Sequence, residues 1–545
     1  MPSDLTISRR HFVASSAALA ATASLPHVAY TQAATAIDVI VIGAGLSGLE
    51  TALTLEENGQ RVLLLEGSSR IGGRVYTLFD VPGHPEAGGN TIAPAYGRMI
   101  AAGEKYRVET VNLAPRYMTR AEQELFLGGE HIALKDWPAH KRNPFAGEER
   151  AVAPWAWAQE HFKKSFPFQE LEQWYDPKFA QFDISVHDFL AKLGATEDAI
   201  RLGFDTNIAY GTTSRDVSLL MQAFADYWQQ VNRNSLGAFS RSGTAAIDSA
   251  NKRPGAPTPT AAPAGPSGPV TPGATADSAP KSAARALPPG LFIGAFKGGN
   301  QNLPLAMAKR LQGDLLMGKV AAAIDVDANG ATVVCRDGSR YRAKAVVSSL
   351  PYSVLRDVAI SPAPPATQNG AIQTLNYIPI TQFHIVPKKA YWLEDGMHPN
   401  MWTDSVLGIV LAQRFGSNDD EVTSLTTWSR GLAAQYVDRL PLADARKLIV
   451  GEREKMRPAA TGQVGGGGTV LGHGSVCGWR LGDLRARTGH RFRQHARETT
   501  RAAVLLRRTH GTGVARHGRR ARISRTRLPR GARCTRLTKP AHGAR

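Results

Sequence analysis

The chain has 545 residues, 43% hydrophobic and 20% charged, which is enough for two or more domains with sizeable cores and too apolar for a disordered protein. Its three cysteines exclude a disulfide framework and a cysteine-rich metal site. The formal charge of +19 would suit a nucleic-acid binder, but residues 464–545 hold 20 of the 65 lysines and arginines and two of the 46 acids, so the rest of the chain carries a net +1 and no nucleic-acid partner is expected of it.

At the N-terminus, Ser8-Arg9-Arg10-His11-Phe12-Val13 precedes an alanine-rich apolar stretch to Leu25, and Ala34-Thr35-Ala36 offers a small-residue cleavage site. Segment 1–36 is similar to a bacterial twin-arginine signal, which implies passage of a folded protein through the twin-arginine export machinery to the periplasm or beyond. The apolar stretch is short for a membrane span, and no later run makes a convincing one.

Asp38 to Ile42 is a short β-branched run of the kind found in buried parallel strands. Gly43, Gly45 and Gly48 follow at G-x-G-x-x-G spacing around Ala44. The first glycine permits a tight turn, the second lets backbone approach a pyrophosphate, and the third lets the next helix pack on the strand. That helix is predicted from about Leu46 to Asn58, with Gly59 as its stop. A second strand from Arg61 to Leu65 ends at Glu66, placed to accept hydrogen bonds from a ribose 2′-hydroxyl. Strand, glycines, helix, strand and acid in this order predict an α/β, Rossmann-like dinucleotide-binding domain.

Arg70-Ile71-Gly72-Gly73-Arg74 comes directly afterwards. A dinucleotide fold followed by R-x-G-G-R resembles the fingerprint of the flavin-containing amine oxidase family. The later segments Glu86-Ala87-Gly88-Gly89-Asn90-Thr91 and Gly298-Gly299-Asn300-Gln301-Asn302-Leu303-Pro304 are similar to further flavin-contacting segments of that family, and Lys319-Val320 falls where it sets a valine against the adenine. Asp337-Gly338-Ser339 and the run from Ala343 to Pro351 resemble the return to the dinucleotide domain. The resemblance implies FAD as cofactor, held by Gly43, Ala44, Gly45, Gly48, Glu66, Gly73, Arg74, Gly88, Gly89, Asn90 and Val320. It also implies an α+β substrate domain and oxidation of a small-molecule amine to an imine, with O2 reduced to hydrogen peroxide. A related flavin desaturase or porphyrinogen oxidase is the second enzyme reading.

The expected organisation is a first FAD-binding segment over 37–100, a first substrate segment over 101–250, a Pro/Ala-rich disordered insertion over 251–290, a second FAD-binding segment over 291–351 and a second substrate segment over 352–463. The insertion contains ten prolines and no aromatic residue. The aromatics Trp155, Trp157, Phe162, Phe166, Phe168, Trp174, Tyr175, Tyr210 and Tyr227 suit core packing better than a substrate cavity. Cys335, in the alternating run ATVVC, reads as a small core residue, and His131, His140 and His384 lack metal-ligand spacing.

The chain departs from the family at two places. Gln382 stands where many members carry a lysine near the flavin, ten residues before Trp392, and Thr91 stands where amino-acid oxidases carry a carboxylate-binding arginine, with Arg98 about two helical turns away. The missing arginine favours amines over α-amino acids; the missing lysine sets Gln382 as the catalytic candidate and implies either that Gln382 holds a water near the flavin less strongly or that the acceptor is not oxygen. From Gly465 onward the family pattern stops. The tail has one tryptophan, one phenylalanine and no sustained apolar period. The stretch LLRRTHGTGVARHGRRA, starting at Leu505, can be encoded so that the neighbouring frame reads FFGEHTALASRGMEGA, similar to the family's closing segment. Residues 464–545 therefore read as an out-of-frame tail, with a nucleic-acid-binding arginine tail or a disordered solubilising tail as the rival readings, and a product unable to hold FAD is the third reading of function.

Overall fold

The computed structural model describes residues 37–464 apart from 94–95, 118–121, 165–172, 174–175, 208–212, 223 and 225–291, together with 469–471, 480–483 and 504–506. The expected signal, the Pro/Ala-rich insertion, Phe166, Phe168, Trp174, Tyr175, Tyr210 and Tyr227 lie outside the described residues. Backbone contacts divide the chain into Met1–Arg507 and Arg508–Arg545. All that follows concerns the first unit.

The fold is built outward from β1 (Val39–Ile42). All four of its residues are buried, because both of its faces are covered. Val39 and Val41 face α1 (Leu46–Glu57), packing with Leu49, Ala52 and Leu53, while Ile40 and Ile42 face Ile324, Val333 and Val346. Fully burying each such side chain contributes about 1.5–3 kcal/mol, so the strand is held from both sides. β2 (Val62–Leu65) runs parallel to β1 in the register Val39↔Val62 to Ile42↔Leu65. Gly59, with φ +77°, turns the chain out of α1 towards β2.

Next along the chain, β3 (Glu124–Leu127) and β4 (Glu130–Ile132) form a hairpin at one end of the largest sheet. Trp157 and Phe162, on the helix Pro154–Lys164, are core residues beneath it, and Trp155 packs against the same cluster. These three aromatics serve packing, as their sequence context suggested. The chain returns to the first sheet through β5 (Leu315–Leu316), which pairs with β2. β6 (Ala321–Asp327), β7 (Gly330–Cys335) and β8 (Arg340–Ala343) then make an antiparallel meander, with Cys335 buried at the end of β7. β9 (Ala345–Ser348) completes the dinucleotide sheet on the other side of β1.

The first difference from the sequence reading comes after residue 351. Ala359–Ser361 pairs parallel with Ala323–Asp325, and Leu355, Val358 and Ile372 pack with Ile40 and Ile42. This stretch therefore joins the meander rather than the larger sheet, because its apolar residues cover the second face of β1.

The larger sheet is completed by β10 (Asn376–Ile385), β11 (Met401–Thr403), β12 (Ile409–Gln413) and β13 (Ser424–Arg430). β13 lies between β10 and β12, and β11 joins them to β3. One face of this sheet carries Phe383, Ile385, Val410, Ala412 and Leu425, packed against Val437 on α2 (Gly431–Asp438) and Ala445 and Ile449 on α3 (Leu442–Met456). The other face ends in a polar patch, described below.

The basic tail also contributes short strands. Thr469–Leu471 and Arg480–Asp483 both pair with β10, and Val504–Leu506 pairs antiparallel with β9. They were not legible in the sequence because each is only three or four residues long, too short to show a period.

Candidate functional site

At the end of β1 the chain turns sharply. Gly43 has φ +103°, a conformation that L side chains rarely adopt. A Cβ on Gly48 would lie 1.8 Å from the Gly43 carbonyl oxygen, so only glycine lets α1 start this close to the strand. Gly45 is the N-cap of α1, with no side-chain cap and no acid in the first turn. The free N–H groups and the positive dipole end of α1 are therefore open to an anion.

A second glycine turn packs onto the first. The Gly72 N–H donates to the Ala44 carbonyl at 2.9 Å, and Gly45 and Gly72 form an isolated parallel bridge. Gly73 has φ +57°, and a Cβ there would sit 3.3 Å from the Gly45 Cα. Arg70 braces this turn from within: its guanidinium donates to the Gly73 and Val75 carbonyls at 2.6 and 3.2 Å and lies 4.1 Å from the Tyr76 ring centroid. Arg74, by contrast, is exposed. Of the two arginines in R-x-G-G-R, one is structural and one is free to meet a ligand.

Glu66 is buried at the end of β2. Its Oε2 accepts from the Ala44 N–H at 2.7 Å and its Oε1 from the Ser68 N–H at 2.8 Å. The acid thus ties β2 to the glycine turn while keeping lone pairs for a ribose hydroxyl. The Lys319 N–H donates to the Glu66 carbonyl at 2.8 Å, which sets Val320 beside the acid.

Four residues that the sequence reading did not single out as site residues hold these turns in place. Thr77 Oγ1 donates to the Glu86 carboxylate at 2.9–3.0 Å and accepts from the Gln301 N–H at 3.0 Å. The Gln301 side chain accepts from the Thr77 N–H and donates to the Ile71 carbonyl, at 3.1 and 2.8 Å. Asn300 donates its backbone N–H to Glu86 at 2.6 Å and its amide to the Gly89 carbonyl at 2.8 Å. Burial pushes the Glu86 carboxyl up to about 7, against the pull of its hydrogen bonds. These contacts span 211 to 230 positions of sequence wherever Asn300 or Gln301 is a partner, so spacing alone could not reveal them. Gly89, Asn90 and Thr91 are exposed at the rim of this arrangement, and Arg98 lies on the exposed face of the helix Gly97–Lys105.

The large sheet supplies a different kind of surface. Gln382 on β10 lies opposite Trp428 on β13, His384 opposite Thr426 and Ile380 opposite Arg430. Period-2 alternation puts Gln382, His384, Thr426, Trp428 and Arg430 on one face. The same face continues to Gln413 on β12, whose Oε1 accepts from the Tyr117 hydroxyl at 3.1 Å. Burial, reinforced by the Glu86 carboxylate, holds the Tyr117 hydroxyl well above the ordinary tyrosine range.

This patch is poorly satisfied. Gln382 Oε1, His384 Nε2, Trp428 Nε1 and the Nε and Nη1 of Arg430 are all shielded from solvent, and none has a hydrogen-bond partner among the described residues. His384 accepts or donates one bond, to Thr426 Oγ1 at 3.0 Å, and burial lowers its ring to about 4, which keeps it neutral. Burial lowers the Arg430 guanidinium to about 10, leaving it charged at neutral pH. His131 and His140 pair with Glu124 and Glu130, and no group of three or more metal-ligating side chains is found among the described residues.

The glycine segments fit a bound dinucleotide: positions where a Cβ would collide line an uncapped helix start, with Glu66 at its flank. The profile of the flavin containing amine oxidoreductase family matches residues 46–499, so the match runs past Gly465, where the sequence pattern was expected to stop. Among curated relatives, the flavin-containing amine oxidase of Danio rerio is 35% identical over 116 residues, 21% of either chain, and amine oxidase B of Homo sapiens is 31% identical over 109 residues, 20% of this chain and 19% of that one. This chain thus spans about a fifth of the length of the curated relatives it matches. A variant of putrescine oxidase superposes with a TM-score of 0.58 at 19% identity, covering 84% of this chain and 90% of that one. Cyclohexylamine oxidase from Brevibacterium oxydans superposes with a TM-score of 0.59 over the same shares, also at 19% identity. The superpositions show a common fold.

Proposed function

This chain belongs to the flavin containing amine oxidoreductase family, whose cofactor is FAD, and from that premise we propose that it oxidises an amine to an imine, which hydrolyses to an aldehyde, with O2 as the electron acceptor. The observation that carries the reading is the close packing of the two glycine turns, Gly45 on Gly73, beside Glu66 and the open N-terminus of α1. Gly45 and the first turn of α1 would hold the pyrophosphate through backbone N–H groups, Gly43, Ala44 and Gly48 would shape the turn that brings them there, and Glu66 would hold the ribose and Val320 the adenine. Gly73, Arg74, Gly88, Gly89 and Asn90 would meet the ring end. FAD supplies the two-electron acceptor for C–N oxidation. The protein orients the amine, excludes water and places a polar group near the reacting atoms.

That polar group is Gln382. Its carboxamide oxygen, buried and without a partner among the described residues, can accept from a substrate amine or hold a water molecule. A carboxamide carries no charge, so it holds such a water less firmly than a lysine. In a Gln382→Lys variant, the rate of flavin reoxidation by O2 is expected to rise. An unchanged rate would remove Gln382 from the oxygen half-reaction.

The test of the whole reading is spectroscopic. The purified chain, supplied with FAD, should show a bound-flavin absorbance that bleaches with amines under argon and releases peroxide in air. A protein that retains flavin but is not reduced by any amine would favour a desaturase or porphyrinogen oxidase.

A second reading concerns the tail. We infer that residues 464–545 are translated out of frame. Support comes from their charge, +18 of the total +19, and from the place where FFGEHT would begin, at Leu505 within the strand that edges the dinucleotide sheet. On this reading FAD binding is weakened because the closing segment is replaced. Sequencing the gene decides it: a single frame whose codons cannot encode FFGEHT would end the idea. We further propose delivery to the periplasm, which replacing Arg9 and Arg10 with lysine would block.

A further inference from the structure

Among the described residues, the Arg430 guanidinium on the Gln382 face of the large sheet has no counter-ion. Arg430 has Nε and Nη1 closed off from solvent with no partner among the described residues. On β10, β12 and β13 this face carries no acid from Ile380 to His384, Ile409 to Gln413 or Ser424 to Trp428, and Asp483 on the next strand pairs with Asn376, four residues before Ile380. Asp438 bonds Thr381 on the opposite face. A shielded cation is tolerated when an anion meets it, and a planar fork of N–H donors matches a carboxylate in two parallel bonds. A second donor converges here. The Arg430 Cζ lies 6.0 Å from the Trp428 ring centroid, so the two side chains share one space, and the Trp428 indole N–H is also unpartnered.

We propose that Arg430 and Trp428 bind a carboxylate on the substrate, so that the preferred amine is an amino acid or ω-amino acid. This rests on the amine-oxidation reading and narrows it. The opposite end of the molecule is accounted for as well. Gln382 Oε1, an unpartnered acceptor, projects from the position directly across from Trp428, and Arg430 is the diagonal neighbour two residues on. Diagonal neighbours in an antiparallel pair are about 7–8 Å apart, a span one small molecule bearing an amine and a carboxylate can cover. Thr91, where an arginine would serve amino-acid oxidases, is exposed at the rim and offers no such clamp. The carboxylate site has instead moved to the sheet.

The experiment is calorimetric titration of the full chain, supplied with FAD, with two matched probes, n-butylamine and 4-aminobutyrate. The amino carboxylate is expected to bind at least about tenfold more tightly, the scale of one charge-assisted pair. In Arg430→Met the two affinities should fall within about twofold of one another, and Arg430→Lys should keep part of the preference, because it restores charge without the fork. Trp428→Phe provides a second test if Arg430→Met does not fold, with a smaller loss of preference. Equal or tighter binding of n-butylamine by the unaltered protein would overturn the proposal. If neither probe binds while flavin is held, amine oxidation itself fails. Butyrate alone then decides the anion site: binding that Arg430→Met abolishes supports it, and no binding refutes it.

Discussion

The glycine turns and the Gln382 face are both buried and polar, yet they are satisfied in opposite ways. Around Gly45 and Gly73 the protein supplies the partners itself: Glu66 receives two N–H groups, Gln301 bonds through both ends of its amide, and Glu86 is met by Thr77 and Asn300. On the large sheet, five side-chain atoms of Gln382, His384, Trp428 and Arg430 have no partner among the described residues. A buried polar atom left unpaired costs about 1–3 kcal/mol, so the second region is held at a stability deficit. The first region is a finished mould, which we read as the cofactor's. The second is a set of bonds unmet among the described residues, for which the proposed carboxylate is a partner.

Substitutions should separate the two. The largest effect is expected for Gly48→Val, since its Cβ would collide with backbone that cannot yield. Urea unfolding should show a loss of more than about 4 kcal/mol, together with loss of FAD binding. Gln301→Ala should cost about 2–4 kcal/mol, because it strands the Thr77 N–H and the Ile71 carbonyl. A smaller loss would mean that water replaces the amide, and the mould would be less complete than described.

Acid and base should act on the two regions in opposite directions. Glu86 has an ordinary value of 4.5 and a folded value of about 7, so the native state holds its proton more tightly. Its contribution is intact below pH 4.5 and is lost as pH rises to about 7. His384 has an ordinary value of 6.5 and a folded value of about 4. Its contribution is present above pH 6.5 and is lost as pH falls to about 4. Each change is at most about 3 kcal/mol. Melting curves against pH for Glu86→Gln and His384→Gln should flatten opposite limbs of the profile, and a shared limb would break the assignment.

The smallest effect is the most discriminating. Gln382→Leu fills similar space and removes an unpaired acceptor, so cofactor-free protein should be unchanged or more stable by about 1 kcal/mol, measured by urea unfolding. The same change at Gln301 should destabilise strongly.

What could be read in the sequence follows the same division. The glycines, Glu66 and the first strands were legible because their logic is local: a turn, a helix start and an acid within 30 positions. The structure places these residues together at the end of β1, as the spacing required. The clasp formed by Thr77, Glu86, Asn300 and Gln301 was not legible, because its residues meet across more than 200 positions. Trp428 and Arg430 gave no signal either. Their importance depends on which face of β13 they occupy and on the absence of an acid opposite them, and both are properties of strand register. The boundary after residue 351 was missed for a related reason: Val358 and Ile372 look like any apolar residues until they are seen against Ile40 and Ile42.

Ser349 carries a consequence for biosynthesis. Its Oγ donates to the Ile42 carbonyl, 307 positions earlier, at 2.8 Å and is within 3.1 Å of the Gly43 carbonyl, and β9 just before it covers one edge of β1. A ribosome adding about 5–20 residues per second needs roughly 15–60 seconds to travel that distance. Throughout that interval the first strand has an unpaired edge and the glycine turn lacks its latch. Cofactor capture is therefore a late event in synthesis, and the nascent N-terminal half needs protection from pairing with its neighbours until residue 349 arrives.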